Sequence, residues 1–205
     1  MKVAVLGGTG AFGSALARRL AETGTDVIIG SRDPDRAAAT AAEVGAVRGL
    51  ANAEAVGGAD LVVLAVAAQT ALPTTAELAD ALGETAVLSV ASELRVTNGV
   101  AFPGDDPLSL AERMQQLLRA PVVAGLHSLA AASLAAGKAE GDALVCGDDD
   151  PAKAAALELA ETLVTGRALD AGPLASARAL EGMTAVIINL NRRYRGHAGL
   201  RVVGL

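Results

Sequence analysis

The chain contains 205 residues, 52% of them hydrophobic, and carries a formal net charge of -6 at pH 7. An acidic chain with only 1% aromatic residues lacks the basic faces and stacking rings that bind nucleic acids, so we expect no nucleic-acid partner. No apolar run approaches the roughly 20 residues of a membrane helix, and the first residues read as a strand, so we expect a cytoplasmic protein with no membrane partner.

The first predicted elements form a strand, a glycine turn and a helix. Residues 1–6 are apolar at nearly every position, and Ala15 to Leu20 has a helical pattern. Between them, Gly8, Gly10 and Gly13 fit the spacing G-x-G-x-x-G. Glycine lets the backbone turn sharply and approach a pyrophosphate closely, and the following helix directs unpaired N–H groups at the phosphates. This context predicts a dinucleotide site.

The remaining elements alternate between apolar strands and helices. Further strands are predicted at residues 26–30, 47–50, 60–66, 86–90, 122–125, 143–147 and 168–170. Helices are predicted from Pro34, at residues 72–82, 107–118, 129–136, 151–164 and 174–195, and in a brief segment that Asn52 caps and that ends at Gly57-Gly58. Residues 95–104 read as irregular, with Asn98-Gly99 as a turn signal. Aspartates before prolines predict helix starts at Asp33, Asp106 and Asp150.

Continuously apolar strands that alternate with helices predict an α/β fold with a Rossmann doubly wound parallel sheet. We place the dinucleotide-binding Rossmann domain at residues 1–135. A small C-terminal α/β lobe at residues 136–205 is expected to complete the substrate pocket.

The end of the second strand predicts which nucleotide binds. NAD-binding chains usually carry an acidic residue there, whereas this chain has Gly30, Ser31, Arg32 and then Arg36. A hydroxyl and two guanidinium groups suit a 2′-phosphate. Asp33 is better explained as a helix cap, so the sequence favours NADP(H). The alternative is that both arginines are solvent-facing helix residues.

The second half of the chain offers little conventional catalytic chemistry. It has no Tyr-x-x-x-Lys pair, its lone Cys146 lies in an apolar run, and no Cys/His cluster predicts a metal site. His127 follows a strand at a sheet edge where ligands often bind, although a single histidine there is also commonly structural.

Several segments carry a resemblance to a known family. They are Gly7-Gly-Thr-Gly10, Gly30-Ser-Arg32, Leu126-His127, Val145-Cys-Gly-Asp-Asp-Asp150 and Leu169-Asp-Ala-Gly-Pro-Leu174, in this order. The chain resembles the NADPH-dependent reductases of the deazaflavin coenzyme F420, the F420:NADP oxidoreductases, over essentially its whole length. The resemblance implies a homodimer that transfers a hydride reversibly between NADP(H) and the coenzyme, which serves as co-substrate.

The resemblance also implies site residues, by position. The pyrophosphate would be held by Gly8, Thr9, Gly10, Ala11 and Phe12. The 2′-phosphate would be held by Ser31, Arg32 and Arg36, and the nicotinamide would pass Val66, Ala67, Ala68 and Ser89. His127, Arg178 and Thr184 match the catalytic positions beside the deazaflavin.

Other positions depart from the family pattern. Ala67-Ala68-Gln69 replaces a proline and an aromatic residue, Gly182 replaces a serine, and Ser128-Leu-Ala-Ala131 is smaller than usual. These changes predict a roomier and less polar substrate pocket. They leave two other hypotheses open: an NADPH-dependent reductase of another small electrophile, such as an imine or a flavin, and a non-catalytic NADPH-binding regulator.

Two features of the last helix have two interpretations each. The arginines Arg192, Arg193, Arg195 and Arg201 either receive the acidic tail of the coenzyme or form a solvated helix end. The apolar stretch Ala185 to Leu190 favours burial in a dimer, and packing within its own subunit explains it equally well.

Overall fold

Ten strands and eight α-helices make up the computed structural model, which describes residues 1–205. The strands are β1 (Lys2–Leu6), β2 (Asp26–Ser31), β3 (Arg48–Ala51), β4 (Leu61–Leu64), β5 (Val87–Ser89), β6 (Leu94–Thr97), β7 (Val100–Pro103), β8 (Val122–Gly125), β9 (Ala143–Gly147) and β10 (Ala168–Asp170). The helices are α1 (Ala11–Glu22), α2 (Pro34–Val44), α3 (Asn52–Val56), α4 (Ala68–Leu82), α5 (Leu110–Gln115), α6 (Ala131–Ala136), α7 (Asp150–Leu163) and α8 (Ala177–Tyr194). A 3-10 turn at Leu174–Ser176 precedes α8. No helix combines the length and the hydropathy that a bilayer crossing needs.

Eight strands form one sheet in the order β10-β9-β8-β5-β4-β1-β2-β3. Neighbours from β3 to β8 are parallel, which confirms the predicted doubly wound fold. β9 pairs antiparallel to β8, and β10 is parallel to β9. The order reverses between β1 and β4, so a crevice opens at their carboxyl ends. Because β9 and β10 extend the same sheet, the division at residue 135 stays a prediction.

Alternate residues of each central strand enter two separate cores. Val3 and Val5 of β1 face the core formed with α1, α2 and α7, whereas Ala4 and Leu6 face the core formed with α3, α4 and α5. This two-sided burial explains why β1 reads as a continuous apolar run. Each leucine that is fully buried, such as Leu16 of α1, contributes about 2 kcal/mol to stability.

Helix starts follow capping chemistry, but only one of the predicted Asp-Pro caps is confirmed. The Asp33 carboxylate accepts hydrogen bonds from the backbone N–H groups of Asp35 and Arg36, each at 3.1 Å. The start at Asp106 was wrong, because Ser109 caps α5. Ser109 forms a capping box with Glu112, a pattern that Ser-Leu-Ala-Glu carries in the sequence.

Two other predicted caps also need correction. Asp149 caps α7 by accepting from the N–H of Ala152 at 2.8 Å, so Asp150 is the first helical residue instead of the cap. Asn52 is likewise the first residue of α3, with Ala51 at the N-cap. In both cases the cap lies one residue earlier than predicted, and the Asn52 side-chain oxygen is left buried without a partner.

Residues 94–103, most of which were predicted to be irregular, form the antiparallel hairpin β6–β7. Asn98 and Gly99 both have positive φ angles, of 51° and 78°, as a two-residue hairpin turn requires. The Asn98-Gly99 pair, predicted as a turn, is the two-residue loop of a β-hairpin.

The hairpin is fastened to α8 along its length. The Asn189 side chain accepts from the N–H of Ala101 and donates to its carbonyl, both at 2.8 Å, as a neighbouring strand would. The Arg192 guanidinium donates to the carbonyl of Gly99, at the turn.

Candidate active site

A two-part cleft lies at the carboxyl ends of the central strands. The larger cavity has a volume of about 660 Å³ and is bordered by the glycine turn, the end of β2 and the start of α4. The smaller cavity has a volume of about 270 Å³ and lies between the ends of β4, β5 and β8. Because Ala65, Val66 and Ala67 line both, the two cavities are adjacent.

Backbone proximity explains the glycines of the turn. Gly7 has a φ of +78°, and a Cβ there would lie 2.5 Å from the carbonyl oxygen of Ala65. A Cβ at Gly13 would lie 2.4 Å from the carbonyl oxygen of Gly7, so α1 packs directly on the turn. At Gly10 the nearest atom would be 3.3 Å away. Gly7, which is outside the predicted G-x-G-x-x-G, therefore has the strictest requirement for glycine.

Two helices begin at this cleft, both earlier than predicted. α1 starts at Ala11 and α4 at Ala68, and neither has a side-chain cap or an acidic residue in its first turn. The first N–H groups of a helix lack partners within it, and its N-terminus carries partial positive charge. Two uncapped helix starts in one cleft are suited to a pyrophosphate.

The predicted pyrophosphate residues lie around this turn. Thr9 and Gly10 line the larger cavity, and Phe12 lines the smaller one. Gly8 is buried beneath the turn, where a Cβ would lie 2.9 Å from the Val5 carbonyl oxygen. Ala11 is exposed as the first residue of α1.

The three predicted 2′-phosphate residues come together on the wall of the larger cavity. Ser31 is largely buried, and its hydroxyl oxygen accepts from the N–H of Asp33 at 3.2 Å. Arg32 and Arg36 are exposed and form no ion pair with a carboxylate. Arg36 also donates to the carbonyl of Thr9 at 3.4 Å, which connects it to the glycine turn. Their positive charge is thus available to an anion.

The predicted nicotinamide residues are divided between the cavity and the sheet. Val66 and Ala67 line both cavities, and Ala68 lines the smaller one. Ser89 lines neither cavity: it is fully buried in β5, and its hydroxyl has no hydrogen-bond partner. Ala91 and Ser92, which follow the same strand, lie at the cavity wall instead.

His127 lines the smaller cavity with only 7% of its surface exposed. Burial lowers its pKa from 6.5 to about 4, although its hydrogen bond with the Ala91 carbonyl opposes the shift. The imidazole is therefore neutral at pH 7. Its Nε2 lies 3.3 Å from that carbonyl oxygen, which can only accept, so Nε2 carries the proton. Nδ1 is buried without a partner.

The backbone before His127 is strained. Leu126 is buried and has a φ of 66°, in the left-handed region that side chains other than glycine rarely adopt. Such a conformation costs of the order of 1–3 kcal/mol and is found mainly at functional sites. Here the sharp turn after β8 brings His127 to the cavity wall.

The other two predicted catalytic residues are separated from each other. Thr184 lines the smaller cavity and donates from its hydroxyl to the carbonyl of His127 at 3.1 Å. Arg178 lines neither cavity, because its guanidinium donates to the carbonyl of Gly104 at 2.7 Å, beyond the end of the hairpin. The structure thus brings His127 and Thr184 together and leaves Arg178 as a hairpin contact.

A second titratable group is buried on α8, outside both cavities. Glu181 is 3% exposed and accepts from the N–H of Ala111, in the first turn of α5, at 3.3 Å. Burial raises the pKa of this carboxyl group from 4.5 to about 7, although backbone hydrogen bonds and the Arg113 charge oppose the shift. Glu181 connects α8 to α5, below the wall that Thr184 forms.

The C-terminal arginines do not form one cluster. Arg192 contacts the hairpin turn, and Arg201 lines a separate cavity of about 540 Å³ with Glu140 and Leu200. Arg193 and Arg195 are exposed at the end of α8. None of these four arginines lines the cleft, so the structure favours neither the binding of an acidic tail nor a solvated helix end.

Sequence reasoning missed several wall residues. In the larger cavity they are Asn52, Gln69, Thr70 and Thr74; in the smaller they include Ser92, Leu94 and Leu129. Position after a predicted parallel strand could have indicated Asn52 and Ser92, since both follow strands at the carboxyl edge. Leu94 belongs to the hairpin, and nothing in its local sequence predicts contact with the cavity.

The two cavities differ in chemistry. The larger combines two free guanidinium groups with two helix N-termini. No charged side chain lines the smaller one, whose polar groups are Ser92, His127 and Thr184. The structure contains no group of three His, Cys, Asp or Glu side chains that could hold a metal ion. The arrangement suits anchoring of an anionic nucleotide beside an apolar cavity for flat rings.

Comparisons with known proteins agree with this geometry. A family model described as NADP oxidoreductase, coenzyme F420-dependent, matches residues 2–93. The F420-dependent NADP reductase of Methanothermobacter thermautotrophicus is 35% identical, over 100% of this chain and 96% of that protein. The enzyme of the same name from Methanocaldococcus jannaschii is 34% identical, over 100% and 99%.

Solved structures extend the likeness to three dimensions. A crystal structure from Arthrobacter sp. FB24, of a candidate F420-dependent NADP reductase, superposes with a TM-score of 0.85 at 30% identity and covers 100% of both chains. An imine reductase from Bacillus cereus has a TM-score of 0.68 at 17% identity, over 95% of this chain and 62% of that one, and so shares the fold alone. The full-length identity of about a third to curated relatives shows that the chain belongs to the F420-dependent NADP reductase family.

Proposed function

We propose that this chain transfers a hydride reversibly between NADP(H) and the deazaflavin coenzyme F420. One observation carries the proposal: a cavity with two guanidinium groups on its wall lies beside a cavity with no charged side chain, and Ala65 to Ala67 line both. The names of the curated relatives supply the identity of the two substrates.

The residues of the larger cavity bind and orient the nucleotide. The glycine turn and the N-termini of α1 and α4 hold the pyrophosphate. Ser31, Arg32 and Arg36 hold the 2′-phosphate through hydroxyl and guanidinium donors. When bound, the nicotinamide supplies or receives the hydride. Because its phosphates are fixed at one end, its reactive ring is directed past Val66 and Ala67 into the smaller cavity.

The residues of the smaller cavity exclude water and hold the two rings. Its walls are mainly alanine, valine and leucine side chains, which leave room for flat rings and carry no charge. Hydride transfer between rings needs close stacking and a dry site more than it needs an acid or a base. His127 is held by the Ala91 carbonyl, and burial lowers its pKa, so it contributes shape and hydrogen bonding to the wall.

This chemistry favours a deazaflavin over an imine as the acceptor. Hydride addition to the neutral deazaflavin leaves a negative charge that is delocalised over the ring and can take its proton from solvent afterwards. Hydride addition to an imine, in contrast, needs a proton donor at nitrogen during the transfer, and no carboxyl, ammonium or phenol group lines the smaller cavity. Mixing the protein with NADPH and oxidised F420 should bleach the visible absorbance of the deazaflavin. Parallel reactions with FMN and with a cyclic imine serve as comparators. Faster turnover of either comparator, or nucleotide binding without turnover, would contradict the proposal.

We propose that the protein is a homodimer that buries the outer faces of α8 and the hairpin. Val186, Leu190 and Tyr194 follow one another at four-residue intervals on α8 and are 56%, 40% and 72% exposed. The hairpin adds further exposed apolar side chains: Val96, Val100 and Phe102. An apolar surface shared by two adjacent elements supports an interface.

The oligomeric state tests this surface. Leu190→Arg should convert the protein to a monomer in sedimentation velocity. The control Val47→Arg places the same charge at an exposed valine on another surface and should leave the dimer intact. A wild-type monomer at micromolar concentration, or a dimer that survives Leu190→Arg, would contradict the assignment.

A further inference from the structure

We propose that Ser92 is a substrate-binding residue whose hydroxyl oxygen accepts a hydrogen bond from an N–H group on one of the two reacting rings. The inference rests on the proposed function and concerns the smaller cavity, where Ser92 is part of the wall. It follows from the direction in which the hydrogen bonds of that wall must run.

The direction is fixed by a backbone carbonyl. The Thr184 hydroxyl lies 3.1 Å from the carbonyl oxygen of His127, and a carbonyl can only accept, so Thr184 donates its single proton there. The hydroxyls of Ser92 and Thr184 lie 2.8 Å apart. Since the Thr184 proton is already used, Ser92 must donate to Thr184. Both hydroxyl protons are therefore engaged within the wall.

The third polar side chain of the cavity follows the same pattern. His127 uses its Nε2 proton on the Ala91 carbonyl, and the neutral ring leaves only a lone pair at Nδ1. Every side-chain proton of the three polar wall residues is thus committed to another protein atom. Because Nδ1 of His127 is itself buried, the side-chain lone pairs left for a ligand are those of the Ser92 and Thr184 hydroxyl oxygens, and they favour an N–H donor.

Two groups of the proposed substrates carry such a donor. One is the imide N–H of the deazaflavin ring, and the other is the carboxamide NH₂ of the nicotinamide. An N–H group that enters this apolar cavity without an acceptor would lose its hydrogen bond to water, which disfavours binding. Ser92 is therefore a specificity-determining residue, and Thr184 acts through it by holding its proton away from the ligand.

The test is a set of binding titrations on wild type, Ser92→Ala and Ser92→Thr. The ligands form two pairs, each of which differs by the N–H group. The first pair is a deazaflavin and its N3-methyl derivative, titrated in the presence of NADP⁺. The second pair is NADPH and its 3-acetylpyridine analogue, which lacks the amide NH₂. Thr162→Ala, on α7 and outside both cavities, controls for loss of a hydroxyl.

We expect Ser92→Ala to weaken binding of one N–H ligand by about five- to thirty-fold while sparing its N–H-free partner. Ser92→Thr, which keeps the hydroxyl, should restore the affinity. A selective loss for the deazaflavin identifies the imide as the donor, and a selective loss for NADPH identifies the carboxamide. Equal losses within both pairs would show a merely structural role and overturn the inference, as would the absence of any loss.

The proposed function and the inference on Ser92 can fail independently of each other. If wild type binds neither deazaflavin, the proposed acceptor is wrong, and the NADPH pair alone decides the role of Ser92. If wild type binds the unmethylated deazaflavin and Ser92→Ala changes neither pair, the function stands and the inference on Ser92 falls.

Discussion

Arg32→Ala should weaken NADPH binding far more than NADH binding. Arg32 is exposed at the wall of the larger cavity, beside Ser31, and has no carboxylate partner in the protein. A hydrogen bond to a charged group contributes about 1.5–3 kcal/mol, and exposure places this one toward the lower end. At about 1.4 kcal/mol for each tenfold, the loss for NADPH is about ten- to fortyfold. NADH, which lacks the 2′-phosphate, should change by less than about twofold.

Fluorescence titration of both nucleotides measures this selectivity directly. The difference between wild type and Arg32→Ala should shrink in ~0.3 M salt, because the exposed charge is then screened. Arg18→Ala removes an exposed arginine of α1 outside the cleft and is the matched control. Arg36→Ala should weaken both nucleotides, since Arg36 also bonds the Thr9 carbonyl of the turn. Equal losses of NADPH and NADH in Arg32→Ala would refute the assignment of the 2′-phosphate site.

Three further variants or titrations test the turn and the buried groups. Gly7→Ala should lower the melting temperature by several degrees, whereas Gly10→Ala should change it little, because a Cβ would lie 2.5 Å from backbone at Gly7, where φ is positive, and 3.3 Å from it at Gly10; equal losses of stability would contradict the steric argument. The His127 ring should remain neutral down to about pH 5 in an NMR titration, and stability should fall as pH drops from 6.5 toward 4, where the unfolded chain binds the extra proton; protonation near pH 6.5 would show that burial does not control this group. Glu181→Gln should stabilise the protein by about 2–3 kcal/mol at about pH 8 and not at about pH 4, since a raised pKa makes the wild type lose stability as pH rises from 4.5 through 7; thermal unfolding at the two pH values measures the difference, and an equal gain at both would exclude a titration effect.

The features of the fold that could be predicted are those that the local sequence pattern determines. β1 is apolar at successive positions because its two faces enter two cores, and this pattern alone indicates a covered parallel sheet. The reversed direction of β9 could not be predicted, since strand direction depends on which neighbour the chain reaches. The hairpin was missed although Asn98-Gly99 marks it, because the flanking strands carry few buried residues.

The candidate site likewise has one part that the local sequence predicts and one part that depends on the tertiary structure. The nucleotide end is built from one strand-turn-helix unit and the end of the next strand, so Ser31, Arg32 and Arg36 were predictable and do come together. The smaller cavity is formed by segments that are distant in the sequence, and only the tertiary structure shows that Ser92 and Thr184 meet there. The role of Arg178 stays a prediction, since its guanidinium contacts the Gly104 carbonyl and lines neither cavity.

The hydrogen bonds between the hairpin and α8 have a consequence for the smaller cavity. Arg178, Asn189 and Arg192 attach one helix to the hairpin at both of its ends and at its centre. Leu94 of the hairpin and Thr184 of the helix form part of the wall of this cavity. We therefore expect α8 and the hairpin to move together, and any such movement to change the width of the smaller cavity. The residues predicted to hold the phosphates lie in the glycine turn, at the end of β2 and on α2, outside α8 and the hairpin. We expect the same movement to leave the nucleotide site in place.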